Sequence, residues 1–124
     1  MCSPNPQGRK VLFAASLVSM VLGSIHAFSV FLEPLEAAFG SSRATVSLVY
    51  SFCLVFLTIT VLFGPVVYSR LKPATIYVLV AFLGLIGTGL ASVADGLELV
   101  WIGYSLIFGI ANGLGYGFGL QFAA

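Results

Sequence analysis

The chain has 124 residues and a net charge of +1, with 60% hydrophobic residues, 7% charged residues and a mean hydropathy of +1.12. That balance lies far outside soluble averages and excludes a water-soluble domain of ordinary composition. No basic run is long enough to follow a phosphate backbone, which also argues against a nucleic-acid partner.

Residues 1–10 read as a polar tail that ends in Arg9 and Lys10. The uncharged run Val11 to Leu32 follows, longer than the roughly 20 residues needed to cross the hydrocarbon. Arg9 and Lys10 before an apolar core, with Ile25-His26-Ala27 behind it, resemble a secretory signal, but the run continues past Ala27 and reads better as an uncleaved helix. Along it Ser16, Ser19, Gly23 and His26 follow the three-four-three spacing of one helical face, continued by Val30 and Glu33. A histidine within a span is a candidate for substrate binding or proton relay, and equally a donor to a neighbouring helix. Glu33 and Glu36, at the end of the run, are expected to be solvated.

Gly40-Ser41-Ser42 offers a glycine to end one helix and a serine to cap the next. In the second run, Ala44 to Ser69, Tyr50, Ser51 and Thr58 give a mildly polar surface, and Cys53 reads as a small buried apolar residue. Pro34 and Pro65 fall near helix ends, where neighbouring helices can satisfy the freed carbonyls. Pro73 suits the first turn of the third run, Pro73 to Ala94. There Gly84, Thr88 and Ser92 repeat at every fourth position, with Gly87 and Ala91 alongside, and predict a smooth face for close helix packing. Asp95 and Glu98 have capping-box spacing ahead of the fourth run, Leu99 to Ala124. In that run Gly109, Gly113 and Gly117 form one row with Gly115 and Gly119 beside it, a packing face or a helix that bends around a cavity. Asn112 needs a partner near mid-span, either another helix or a ligand, and Tyr116 stands one turn beyond it.

The expected fold class is therefore all-α and transmembrane, with one membrane domain over residues 11–124 and helices at roughly 11–36, 44–69, 73–94 and 97–124. Barrel strands would alternate apolar and polar positions, which these runs do not. Arg9, Lys10, Arg70 and Lys72 fall on one side of such a bundle, while Glu33, Glu36, Asp95 and Glu98 fall on the other with Arg43. The excess of Lys and Arg predicts a cytoplasmic amino terminus in a multi-pass protein, with the short tail suiting a bacterial inner membrane. One histidine and two cysteines, Cys2 and Cys53, supply no metal-ligand cluster and no catalytic constellation, so neither enzyme activity nor a cofactor or metal is expected.

The segment Phe28-Ser29-Val30-Phe31-Leu32-Glu33-Pro34-Leu35, followed by Phe39-Gly40-Ser41-Ser42-Arg43-Ala44-Thr45-Val46-Ser47, resembles the first helix and first outer loop of major facilitator superfamily transporters. It is most similar to the branch of monocarboxylate and oxalate:formate carriers, as is the glycine-rich stretch Gly109 to Gly119. In the family's loop between helices two and three, Gly64 matches the glycine and Arg70 and Lys72 the basic cluster, but Tyr68, or Ser69 with a one-residue slip, stands at the acidic position. The resemblance implies a chain that supplies four helices of the six-helix amino-terminal half of a twelve-helix secondary transporter. It further implies alternating access, with His26, Asn112 and Tyr116 toward a small organic anion and the third helix outside. The implied partners are the lipid bilayer, the substrate, a coupling proton or counter-substrate, and the remaining carboxy-terminal helices. Two other readings stand beside it: a complete four-helix homo-oligomeric carrier, and a membrane scaffold or assembly subunit that docks through its glycine faces.

Overall fold

A computed structural model describes residues 6–123, and every regular element among them is helical. The order is α1 (Pro6–Gly23), a 3₁₀ turn (Ser24–Phe28), α2 (Ser29–Phe39), α3 (Arg43–Tyr68), α4 (Pro73–Ser92), α5 (Leu97–Val100), a π-helical segment (Trp101–Phe108) and α6 (Gly109–Ala123). They make four helices long and apolar enough to cross a membrane: Ser19–Phe39, Arg43–Tyr68, Pro73–Ser92 and Leu97–Gln121. These are the first to fourth spans below. The end of the bundle with Glu33, Glu36, Asp95 and Glu98 is its acidic end, and the end with Arg70 and Lys72 its basic end.

The helix boundaries follow local chemistry. Gly40 ends α2 in the left-handed conformation, φ 59°, the one positive φ among the described residues. Ser42 is extended and caps α3, its hydroxyl accepting from the Thr45 amide at 3.3 Å. Pro73 opens α4, where its missing amide hydrogen costs no helical bond. α1 begins at Pro6 and carries Arg9 and Lys10 exposed on it, ahead of the first span; residues 1–5 lie outside the described residues. One expectation is corrected. The fourth span takes Gly96 as its N-cap with no side-chain cap bond, leaving Asp95 exposed and uninvolved.

The fourth span is the centre of the bundle. Half of it is buried, against 17% of each other span. It packs on the second span along one side and the third along another, and those two scarcely meet each other. Lipid tails are as apolar as leucine, so such packing is held by van der Waals contact and depends on how closely backbones can approach. At the crossing of spans three and four, a Cβ on Gly103 would stand 2.7 Å from the Gly87 carbonyl oxygen, and one on Gly87 equally close to that of Gly103. Leu22, Ile76, Val80, Leu114 and Phe118 fill the junction of spans one, three and four. Phe28, Val46, Val49 and Val100 fill the acidic end, with Ile25, Cys53 and Phe108 between.

Of the smooth face, Gly87 and Ala91 meet the fourth span at Gly103, but the row Gly84, Thr88 and Ser92 is not the part that the third span gives to the fourth. A Cβ at Gly84 meets nothing within 4 Å, and Thr88 is exposed with its hydroxyl donating to the Gly84 carbonyl at 2.7 Å. Positions four apart drift by about 40° per step around an α-helix, so this row turns away from the interface. Ile76, Val80 and Gly87, spaced four and seven, keep to the buried side.

Candidate binding site between the first, second and fourth spans

The first span meets its neighbours unevenly. α2 packs on α3 at the acidic end and α1 packs on α6, but α1 scarcely touches α3. The first and second spans therefore close on each other at the acidic end and part toward the basic end, with the fourth span as the floor of the gap.

His26 sits in the 3₁₀ turn at the closed end of this gap. Its side chain is exposed, and its Nδ1 shares a hydrogen bond with the Tyr50 hydroxyl of α3, 3.0 Å away. The Tyr50 ring stacks on Phe28, with centroids 5.7 Å apart and planes 10° from parallel, and Phe28 in turn lies 4.9 Å from Tyr104. Three aromatic rings thus form a cluster joined to the imidazole through the Tyr50 hydroxyl. With Nδ1 engaged, Nε2 is the ring nitrogen left for another group.

Asn112 is 2% exposed, and its Nδ2 donates to the Leu22 carbonyl oxygen at 3.0 Å. Of the two partners open to it, it takes another helix. Leu22 is the penultimate residue of α1, where the backbone ladder changes from i→i−4 to i→i−3 bonding. The amide thus ties the first span to the fourth at that change of winding, rather than lining the gap.

Tyr116 is 51% exposed and lies where the gap requires. On α6, Gly109, Gly113 and Gly117 face Cys53, Leu57 and Val61 of α3, while Gly115 faces Leu22 of α1. At 100° per residue Tyr116 falls between those two directions, over the space between spans one and two. His26 is one turn from Leu22 toward the acidic end and Tyr116 one turn from Asn112 toward the basic end, so their backbones are about 12 Å apart in depth. The two helices run antiparallel and Cα–Cβ bonds tilt toward a helix's amino terminus, so the side chains lean toward each other. The site thus consists of His26 with Tyr50 at one end and Tyr116 at the other, and Asn112 stands behind it.

Gly64, Arg70 and Lys72 do not form one group. Arg70 and Lys72 are exposed in the connection between spans two and three. Gly64 is buried because the Tyr68 ring folds back over it: a Cβ there would be 2.7 Å from the Tyr68 hydroxyl oxygen, as would one at Gly117. That hydroxyl donates to the Leu114 carbonyl at 2.8 Å, and the ring meets Phe118 edge-on at 5.2 Å. At this point Tyr68 closes the second span onto the fourth by an uncharged contact. At the other end Glu36 is only partly exposed and faces Arg43 across the turn, Oε1 to Nε 3.7 Å, while Glu33 is exposed. An apolar cleft of about 140 Å³ opens nearby, lined by Phe28, Phe31, Leu35, Val100 and Tyr104.

Sequence reading missed Ser105. It is 1% exposed and its hydroxyl donates to the Val49 carbonyl at 2.7 Å, a third polar tie between the fourth span and a neighbour. Its available signal was a spacing of seven from Asn112 in an otherwise apolar stretch. Among the described residues no group of His, Cys, Asp and Glu side chains is placed to hold a metal ion. No protein-family model, curated protein or solved structure matches the chain.

Proposed function

We propose that the chain belongs to a secondary transporter of a small organic anion, of which it supplies four helices of the amino-terminal half. The observation that carries this reading is the His26–Tyr50 hydrogen bond where spans one and two meet, with the exposed Tyr116 on the fourth span where they part. A polar site inside four apolar helices is costly to keep in hydrocarbon and has its use in a solute pathway. Nε2 of His26 offers a hydrogen bond or a proton to an anionic group, and the Tyr50 and Tyr116 hydroxyls add donors. The gap narrows at the acidic end and opens at the basic end, one access state of an alternating cycle in which a second half would complete the cavity. The resemblance of Phe28 to Ser47 and of Gly109 to Gly119 to major facilitator carriers supports the twelve-helix setting, with the basic end in the cytoplasm by its Arg and Lys excess. Transport by the complete protein, with His26→Gln compared against wild type in proteoliposomes, is the test. Loss of most of the uptake rate is expected, and an unchanged rate and pH profile sinks the reading.

A second reading has its own observation. The row of half-buried Gly84 with exposed Thr88 and Ser92 is a face where another helix could approach closely, as a homo-oligomeric carrier or an assembly subunit would need. Crosslinking between copies through Thr88→Cys, without solute-dependent stabilisation, favours it.

A further inference from the structure

Two helices depart from α-winding at the same depth. Ser24–Phe28 is a 3₁₀ turn within the first span and Trp101–Phe108 a π-helical segment within the fourth. They face each other: Phe28 lies against Tyr104, and Ile25 packs with Phe108. Departures of both kinds concentrate at hinges and functional sites. Nothing within Ser24–Phe28 demands the tighter turn. It contains no proline, and Pro34 lies beyond it, its ring opposing the carbonyl of Val30. What distinguishes the turn is that it is gripped from outside. Asn112 holds the Leu22 carbonyl just before it, and Tyr50 takes the His26 nitrogen and the Phe28 ring within it.

We propose that the first span is a two-state helix, 3₁₀ over Ser24–Phe28 in this structure and α in a second state, with Asn112 and Tyr50 as the clamp that holds the 3₁₀ form. A 3₁₀ residue advances about 2.0 Å and 120°, an α residue about 1.5 Å and 100°. Rewinding five residues therefore draws α1 toward α2 by about 2.5 Å and turns it by about 100°. α2 stays seated on α3 and the motion falls on α1, which gives up its present packing of Leu22 on Leu114 and Gly115 of α6. It carries His26 off Tyr50 and Leu22 off Asn112, and it swings Ser19 and Gly23 to a new direction. Any group that competes with His26 for the Tyr50 hydroxyl biases the helix toward the α state, by as much as it prefers that state. The two-state helix goes beyond the transport reading and is measured without it.

Nitroxide labels at Ser19→Cys and Ala38→Cys, both exposed positions on either side of the turn, read the winding directly. The whole chain, with Cys2→Ser and Cys53→Ala, is placed in nanodiscs and the label separation measured by double electron–electron resonance. Tyr50→Phe with Asn112→Ala removes both hydrogen bonds of the clamp and is expected to shift the separation downward by about 3–4 Å, the loss of rise and the turn acting in the same direction. An unshifted distribution in a variant that keeps the parent's helical circular dichroism overturns the proposal. If the double variant does not fold, Gly23→Ala with Ser24→Ala makes the same test. A Cβ at Gly23 meets nothing within 4 Å, and both changes favour α-winding without touching the clamp. The same shift is expected, and its absence is equally fatal.

Discussion

Alanine at Gly113 should part the second and fourth spans, and alanine at Gly84 should do nothing of the kind. A Cβ at Gly113 would stand 2.6 Å from the Leu57 carbonyl oxygen and 2.7 Å from the Thr60 Cβ. Neither atom is the free end of a flexible chain, so relief has to come from moving the helices about 0.8 Å apart, a gap that forfeits a quarter to a half of each dispersion contact nearby. Overpacking of this kind costs about 1–3 kcal/mol, against about 0.5–1 kcal/mol recovered by removing a glycine from a helix interior. The expected net loss at Gly113 is about 1–2 kcal/mol, while Gly84→Ala, with open space around it, is neutral or slightly stabilising. Trp101 is the chain's one tryptophan, and its ring lies 4.8 Å from Phe52 of the second span. Its fluorescence during a dodecyl sulfate titration of detergent-solubilised protein therefore reports the contact in question. Equal midpoints for the two variants would refute the packing argument.

Other expectations follow from single contacts. Asn112→Ala removes the tie to the Leu22 carbonyl and should lower stability in the same titration by about 0.5–2 kcal/mol. Ser42→Ala removes the N-cap of α3 and should cost about 0.5–2 kcal/mol, whereas Asp95→Ala, which removes no cap bond, should leave the midpoint where it is. Tyr68→Phe should cost about 0.5–1.5 kcal/mol by losing the bond to Leu114, with Phe118 packing retained. Cys53 is 0% exposed, so in a Cys2→Ser chain it should resist maleimide until the bundle is unfolded, as followed by mass spectrometry.

The features legible in the sequence are those whose cause is local or periodic. Length and apolarity predicted four spans, and the helix stop at Gly40 and cap at Ser42 follow from the conformations those two side chains favour. The row Gly109, Gly113 and Gly117 was readable as a face because small residues at every fourth position have few other uses in an apolar helix, and the face does meet α3. The same reading put Gly84 and Thr88 on one face with Gly87 and Ala91, of which only the latter two meet the fourth span, since small residues leave close packing possible without requiring it. The bulk of Ile76 and Val80 beside Leu22 and Leu114 chose the other side. Asp95 and Glu98 have capping spacing, but a cap depends on the backbone angle at the helix entry, and Gly96 sets that angle. The 3₁₀ turn and the π segment left no trace in composition, because contacts from other helices hold them. The candidate site was half visible. His26 and Tyr116 stood out as polar residues within apolar runs, but Tyr50 joined them only when the bundle brought α3 beside the turn, and Asn112 proved to face a backbone carbonyl.

The central claim is that water reaches Tyr116 through a gap between the first and second spans that opens at the basic end. Tyr116→Cys in a Cys2→Ser chain, exposed in oriented membranes to a charged, membrane-impermeant methanethiosulfonate, measures that access. Leu85→Cys, on the exposed apolar face of the third span, serves as the lipid-facing control. The account predicts rapid modification of Tyr116→Cys from the face carrying Arg70 and Lys72, slow modification from the opposite face, and an unreactive control. Modification of Tyr116→Cys no faster than that of Leu85→Cys would contradict it.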